Sequence, residues 1–179
     1  MRVIAGKYKG RQLFSPKDQS VRPTTDRIKE NVFNLLQGRV AGAAFLDLFG
    51  GSGAMTVEAL SRGAVKAVTV DASRESVDLI KRNFRKIGIG NEAQIVEVEY
   101  GVALKRMAGQ KFDIIYLDPP YKAGVEKDVL DKISEGGFLA DGGVMVLEHA
   151  TEIPFLYEGA LKVFDSRKYG SVTIELLSY

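Results

Sequence analysis

The stretch from residue 44 to residue 71 most limits what this chain can fold into. Ala44-Phe45-Leu46-Asp47-Leu48-Phe49 is apolar apart from one carboxylate, and it runs into Gly50-Gly51-Ser52-Gly53. Residues 54–62 then have helical character and stop at Gly63, and residues 66–70 form a second apolar run ending in Asp71. Two buried strands separated by one helix predict a βαβ unit, because parallel neighbours in a sheet need a crossover connection. Such a sheet is covered by helices on both faces, so the fold class is α/β.

The glycine turn has chemical consequences. Without a Cβ in the way, a ligand can approach the backbone closely. An acid at the end of the next strand, here Asp71, can accept hydrogen bonds from the ribose hydroxyls of a nucleoside cofactor. Two cofactor classes share this layout. A dinucleotide fingerprint has a third glycine where this chain has Thr56. Residues 47–53 instead match Asp-x-Phe-x-Gly-x-Gly, the pattern of S-adenosylmethionine-dependent methyltransferases. That cofactor has no pyrophosphate to seat on a helix N-terminus, and Asp47 can sit near its cationic methionine end. Asp47, Phe49, Gly51, Gly53 and Asp71 are therefore the candidate cofactor-binding residues. Glu99, at the end of a third strand over residues 93–98, joins them as a contact for the adenine.

A second centre lies later in the chain. Residues 112–117 are apolar around a single Asp113, as in a strand buried on both faces, and they stop at Asp118-Pro119-Pro120-Tyr121. The prolines cannot continue a ladder, and a residue before proline is held extended. A carboxylate, an unclaimed carbonyl and an aromatic ring then share one stiff turn at a strand's C-terminal end, the edge where open α/β sheets bind ligands. Asp118, Pro119, Pro120 and Tyr121 are the candidate catalytic residues. Amphipathic helices are expected around residues 28–36, 74–87 and 125–133, with a short helix over residues 103–107. His149, at the end of a strand over residues 144–147, is expected to be structural. An antiparallel pair over residues 161–167 and 172–177 closes the chain.

Charge is unevenly placed. The net charge is only +2, yet residues 1–22 hold Arg2, Lys7, Lys9, Arg11, Lys17 and Arg22 against Asp18 alone. A basic arm on a slightly acidic body suits a polyanion. Residues 2–5 and 11–14 flank a glycine-bounded turn and predict a β-hairpin. Lys7, Tyr8, Lys9 and Arg11 on it combine phosphate neutralisation with a ring able to stack on a base. Arg22-Pro23-Thr24-Thr25-Asp26 opens the first helix. Helix capping accounts for its hydroxyls, while Arg22, Thr24 and Thr25 are also candidate substrate contacts.

The chain has no cysteine and one histidine, which excludes disulfides, thiolate metal sites and multi-histidine metal sites. No metal is expected. No apolar run approaches the roughly 20 residues of a membrane span, and no signal-peptide core is present, which predicts a soluble cytoplasmic protein. At 179 residues the chain suits one domain over residues 1–179, with residues 1–22 as its arm.

The order of motifs resembles methyltransferases that modify exocyclic amines of nucleobases. It narrows further at Arg2-Val3-Ile4-Ala5-Gly6-Lys7-Tyr8-Lys9-Gly10-Arg11, Arg22-Pro23-Thr24-Thr25-Asp26, Glu58-Ala59-Leu60-Ser61-Arg62-Gly63 and Lys168-Tyr169-Gly170. These segments resemble the RsmD family, bacterial guanine-N2 methyltransferases of small-subunit (16S) ribosomal RNA, over nearly the whole chain. The resemblance implies a Rossmann-like class I methyltransferase fold. Its mostly parallel seven-stranded sheet has helices on both faces, an antiparallel final strand and a small N-terminal hairpin and helix extension. It implies S-adenosylmethionine as cofactor and ribosomal RNA, or the assembling small subunit, as partner. The chain departs from the family at Gly50, commonly alanine, an exchange of small residues expected to be mild. It departs again at Glu99-Tyr100, more often Asp-Ala. A DNA adenine-N6 methyltransferase would use the same Asp-Pro-Pro-Tyr. A nicotinamide-dependent oxidoreductase would leave the missing third glycine and that tetrapeptide unexplained, and a non-enzymatic RNA-binding module would need only the basic arm and make the cofactor motifs incidental.

Overall fold

Helix α1 (Asp26–Leu35) precedes the expected unit of β1 (Ala44–Asp47), α2 (Ala54–Ser61) and β2 (Lys66–Asp71). There follow α3 (Arg74–Ile87), β3 (Ala93–Glu97), α4 (Tyr100–Arg106), β4 (Phe112–Leu117) and α5 (Val125–Gly136). The chain ends with β5 (Leu139–Ala150), β6 (Lys162–Tyr169) and β7 (Val172–Ser178). These elements come from a computed structural model that describes residues 1–16, 25–120 and 125–179.

The strands form one sheet in the order β3-β2-β1-β4-β5-β7-β6. The pairs from β3 to β5 are parallel, and β7 runs antiparallel between β5 and β6. The final strand is thus the antiparallel one, as expected. Chain order reverses between β1 and β4, and at such a switch point the loops leave in opposite directions and open a crevice.

Burial fixes that crevice in place. In β4, every residue from Ile114 to Leu117 is at most 1% exposed. At about 1.5–3 kcal/mol for each large apolar side chain buried, a shift of this strand is far costlier than a shift of a surface loop. One face of the sheet packs on α4 and α5 through Ala103, Leu104, Val129, Leu130 and Ile133. The other packs on α1 and α2 through Val32, Phe33, Met55 and Ala59. Strand β5 is longer than residues 144–147, and its added N-terminal part is irregular, with a register shift against β4 between Phe112 and Ile114.

The N-terminal arm folds back as a hairpin shorter than expected. An antiparallel bridge joins Arg2 to Gln12, the Val3 amide donates to the Arg11 carbonyl at 3.0 Å, the Gly10 amide to the Val3 carbonyl at 2.9 Å and the Leu13 amide to the Met1 carbonyl at 3.0 Å. Beyond Val3 the chain turns to another partner. The Ile4 and Ala5 amides donate to the Glu58 carboxylate at 2.8 and 3.0 Å instead of to a second strand. Ser61 continues the dock: its Oγ donates to the Ala5 carbonyl (2.5 Å) and accepts from the Tyr8 amide (2.9 Å). Gly6 has φ +82°, and a Cβ there would lie 1.8 Å from the Ser61 carbonyl oxygen, so only glycine fits.

Candidate active site

One cleft of about 620 Å³ opens at the C-terminal ends of β1, β2 and β4. Asp47, Phe49, Gly51, Asp71, Glu99, Asp118 and Pro120 all line it. Six of the ten residues proposed for catalysis or cofactor contact come from three strand ends that are distant in sequence and adjacent in the sheet; Glu99 comes from the start of α4. Gly53 and Pro119 are not among the lining residues. Gly53 instead closes the turn: it has φ +76°, its amide donates to the Gly50 carbonyl at 2.7 Å, and its Cα faces Ile80 and Phe84. Pro119 is buried. Tyr121, Arg22 and Thr24 lie outside the described residues.

Asp71 shapes the glycine turn. One carboxylate oxygen accepts from the Gly51 amide and the other from the Ser73 amide, both at 2.8 Å. An ionised carboxylate has about four acceptor positions, so capacity for two hydroxyls remains. Gly51 has φ +55°, which sends its amide towards Asp71 and leaves its Cα open to the cleft.

Asp47 is different in character. It is 1% exposed, and burial pushes its carboxyl up to about 7. Hydrogen bonds from the Phe49 amide and the Thr56 hydroxyl, both at 3.3 Å, partly oppose the shift. The neighbouring charge of Asp71 adds to it. A buried carboxylate in an acidic neighbourhood, at the wall of a cleft, is a site that a cation would stabilise. Thr56 therefore has a use at the place of the missing third glycine, and its hydroxyl also lies 2.6 Å from that of Thr69.

Gly50 corrects the expected mildness of alanine. A Cβ there would sit 2.4 Å from Thr69 Cγ2 and 3.0 Å from Ile80 Cδ1. The Thr69 methyl would have to shift to admit it, and the hydroxyl of the same side chain is held 2.6 Å from that of Thr56. Glycine at 50 and threonine at 69 are fitted to each other.

Two tyrosines at the site carried no clear signal in sequence. Tyr100 lies in the cleft with its ring 5.5 Å from that of Phe49, and its hydroxyl donates to Asp128 at 2.6 Å. Tyr116, also in the lining, is buried and donates to Glu148 at 2.7 Å. Desolvation, then the charges of Glu148 and Asp118, hold its hydroxyl protonated well above the usual range. The partner of Tyr116 lies on β5, and no spacing within either strand announces it. His149 is structural, as expected: it is buried, with Nε2 3.2 Å from Glu175 and Nδ1 3.0 Å from the Ala150 carbonyl.

The candidate substrate residues that the structure describes, Lys7, Tyr8, Lys9, Arg11 and Thr25, do not line this cleft. Thr25 caps α1, accepting from the Ile28 amide at 3.3 Å. Tyr8 is only 9% exposed and packs with Val3, Leu13, Val57 and Phe84, so its ring is core and not a platform for a base. Arg11 donates to the Ile87 and Lys86 carbonyls at 2.6 and 2.8 Å, which fastens the arm to the C-terminal end of α3. Lys7 and Lys9 are exposed.

The family model described as conserved hypothetical protein 95 matches residues 1–178. The Bacillus subtilis protein YlbH is 40% identical over 157 residues, covering 86% of this chain and 84% of that one. Ribosomal RNA small subunit methyltransferase D of Escherichia coli is 33% identical over 152 residues, covering 85% of this chain and 76% of that one. The chain belongs to the RsmD family. The solved structure of yhhF from Escherichia coli superposes with a TM-score of 0.87 at 29% identity, covering 99% of this chain and 96% of that one. The RsmD segment 58–63 has a structural meaning here: Glu58 and Ser61 are the receptor for the N-terminal arm. S-adenosylmethionine is the cofactor that the cleft fits, with a buried acid for a cation, an open glycine turn and an acid at the end of β2.

Proposed function

We propose that this protein transfers the methyl group of S-adenosylmethionine to the exocyclic N2 amine of a guanine in small-subunit ribosomal RNA. As a member of the RsmD family it is a ribosomal RNA methyltransferase that uses S-adenosylmethionine. The choice of guanine N2 rests on the chemistry of Asp118-Pro119-Pro120-Tyr121 and on the family resemblance. One observation carries the proposal: Asp47 and Asp118 stand at the ends of neighbouring parallel strands and line one cleft.

In the proposed roles, Asp71 accepts from the ribose, Phe49 and Tyr100 flank the adenine with Glu99, and Asp47 pairs with the cationic methionine end. The bound cofactor supplies a methyl group on a positively charged sulfur. A guanine N2 lone pair is delocalised into its ring, so the amine must be aimed and relieved of that delocalisation. The Asp118 carboxylate and the Pro119 carbonyl accept its two N–H bonds and favour the pyramidal, partly cationic nitrogen of the transition state. As the new N–C bond forms and the C–S bond breaks, the surplus proton leaves the nitrogen through Asp118. Tyr121 stacks on the base. The target guanine is unpaired or flipped out of its stack. The proposal places the protein in the cytoplasm, with the assembling small subunit as its partner. Among the described residues no helix is long and apolar enough to cross a membrane.

The test of the reaction is mass mapping of 16S ribosomal RNA after incubation with the purified protein and labelled cofactor. One added methyl on a guanosine, at N2, is expected; label on adenosine or on DNA alone would overturn the proposal.

The role of Asp47 predicts a pH dependence. A cation favours ionised Asp47, so binding opposes its protonation. Cofactor affinity should be flat above about pH 7 and fall as pH drops below it, by up to about tenfold per unit. Calorimetry at pH 6 and pH 8 should find proton release at pH 6, and Asp47→Asn should bind weakly with that dependence gone. Equal affinity at both values would detach Asp47 from the cofactor.

A further inference from the structure

Phe14 is an exposed aromatic held unusually firmly. The residue is 39% exposed, while its backbone is clamped by one side chain. The Asn83 carboxamide accepts from the Phe14 amide (2.8 Å) and donates to the Phe14 carbonyl (3.1 Å). Asn83 is fully buried, and its amide nitrogen also donates to the Ser52 carbonyl at 2.9 Å, inside the glycine turn of the cofactor cleft. A single buried amide thus fixes a surface phenylalanine to the turn that would hold the cofactor.

The ring is surrounded by positive charge. The Arg82 guanidinium lies 4.5 Å from its centroid and the Lys86 ammonium 4.2 Å. Arg85, exposed on the same helix, extends the charge, and the Arg11 anchor on Lys86 and Ile87 brings the basic arm to this end of α3. A solvated helix face needs no aromatic ring pinned against it. A second cleft of about 540 Å³ has Arg82 in its lining together with the carboxylates of Glu75 and Asp78, and it reaches the cofactor turn, sharing Pro16, Gly51, Ser73 and Ser76 with the first.

We propose that Phe14, Arg82 and Lys86 form a platform for single-stranded RNA, on which a nucleotide flanking the target stacks while the two cations hold its phosphates. This assigns to Phe14 the stacking role that Tyr8, being buried, cannot fill, and it rests on the RNA-methyltransferase function above. Every base has a π-face, and cations beside an aromatic ring suit a phosphate chain, so the occupant is a single strand without strong sequence preference. The platform lies on the β2–α3 side of the cofactor turn while Asp118 ends β4. The stacked nucleotide is therefore a neighbour of the target and not the target itself.

The experiment compares wild type, Phe14→Ala, Phe14→Trp and Arg82→Gln/Lys86→Gln, each as the full chain. Fluorescence anisotropy would follow a labelled single-stranded fragment of 16S ribosomal RNA, and calorimetry would follow S-adenosylmethionine. Phe14→Ala is expected to bind the RNA about tenfold more weakly, with cofactor affinity within about twofold of wild type. Phe14→Trp should restore RNA binding, and the double variant should weaken it with a shallower salt dependence. Unchanged RNA affinity in Phe14→Ala would overturn the platform, and so would an equal loss of cofactor binding. Retained affinity for naked RNA with lost affinity for a ribosomal particle would assign the surface to a protein partner and overturn it too. A wild type that methylates no RNA would instead defeat the functional proposal, which separates the two failures.

Discussion

Asp118→Ala should bind S-adenosylmethionine within about threefold of wild type and transfer methyl at least ~100-fold more slowly, the cost of removing one preorganised acceptor aimed at developing charge. The split follows from where Asp118 sits. It is half-buried at the end of β4, whereas the glycine turn, Asp71 and Asp47 belong to β1 and β2. Cofactor contacts should therefore survive its loss. Asp118→Asn keeps one acceptor oxygen without the charge, and it should fall between the two. Single-turnover transfer of labelled methyl at saturating RNA isolates this step from substrate binding. Turnover by Asp118→Ala within tenfold of wild type would remove Asp118 from the proposed mechanism.

The largest expected effect on stability is at Glu58, far from the chemistry. Glu58 and Lys29 have fully buried side chains 3.7 Å apart. Glu58 also accepts from Arg62 at 2.8 Å and from the two arm amides, and Lys29 donates to the Arg2 carbonyl. Desolvation pushes the Lys29 ammonium down, and Glu58 and then Asp26 oppose that shift. Glu58→Ala leaves a buried cation with Asp26 alone for a carboxylate and orphans the Ile4 and Ala5 amides. A broken buried pair costs about 3–5 kcal/mol, which for a chain of this size lowers Tm by on the order of 10 °C. Amide exchange should show the arm released, with Val3, Tyr8 and Leu13 losing their cover over α2 and α3. A loss below about 1 kcal/mol would mean that the arm docks by its apolar residues alone. Replacing both partners by apolar residues should cost less than removing one, because no charge is then left unpaired.

These two residues illustrate how much the linear chain reveals. Asp118 is legible because its neighbours are diagnostic: an apolar strand, two prolines that end it and an aromatic ring. Glu58 is not. It lies on a short helix and looks like a surface acid in sequence, and its partners come from Lys29 and from the backbone of residues 4 and 5. The same reason explains the arm. Short extended runs around a glycine-bounded turn predicted a hairpin, and a short one forms, but nothing in the letters says that the Ile4 and Ala5 amides beyond it are taken by Glu58. Tyr8 failed as a base-stacking residue because its lysine and arginine neighbours say nothing about the groove between α2 and α3 that receives its ring. Asn83 and Phe14 carried no signal for a related reason: an asparagine in a helix and a phenylalanine at the end of an extended run acquire meaning only as a bonded pair.

By itself the sequence determined the βαβ unit, the glycine turn with Asp47 and Asp71 around it, and the stiff acid-bearing turn after β4. All of these are local, because apolar periodicity, glycine and proline act through their nearest neighbours along the chain. Only the tertiary structure decided that the two turns share a cleft. The strand order places β1 beside β4, so carboxylates from distant parts of the chain open onto the same space. Burial then decided their character. Enclosure at the end of β1 raises the Asp47 carboxyl to about 7, and no arrangement of letters along a chain encodes how much water a side chain will lose when the sheet closes over it.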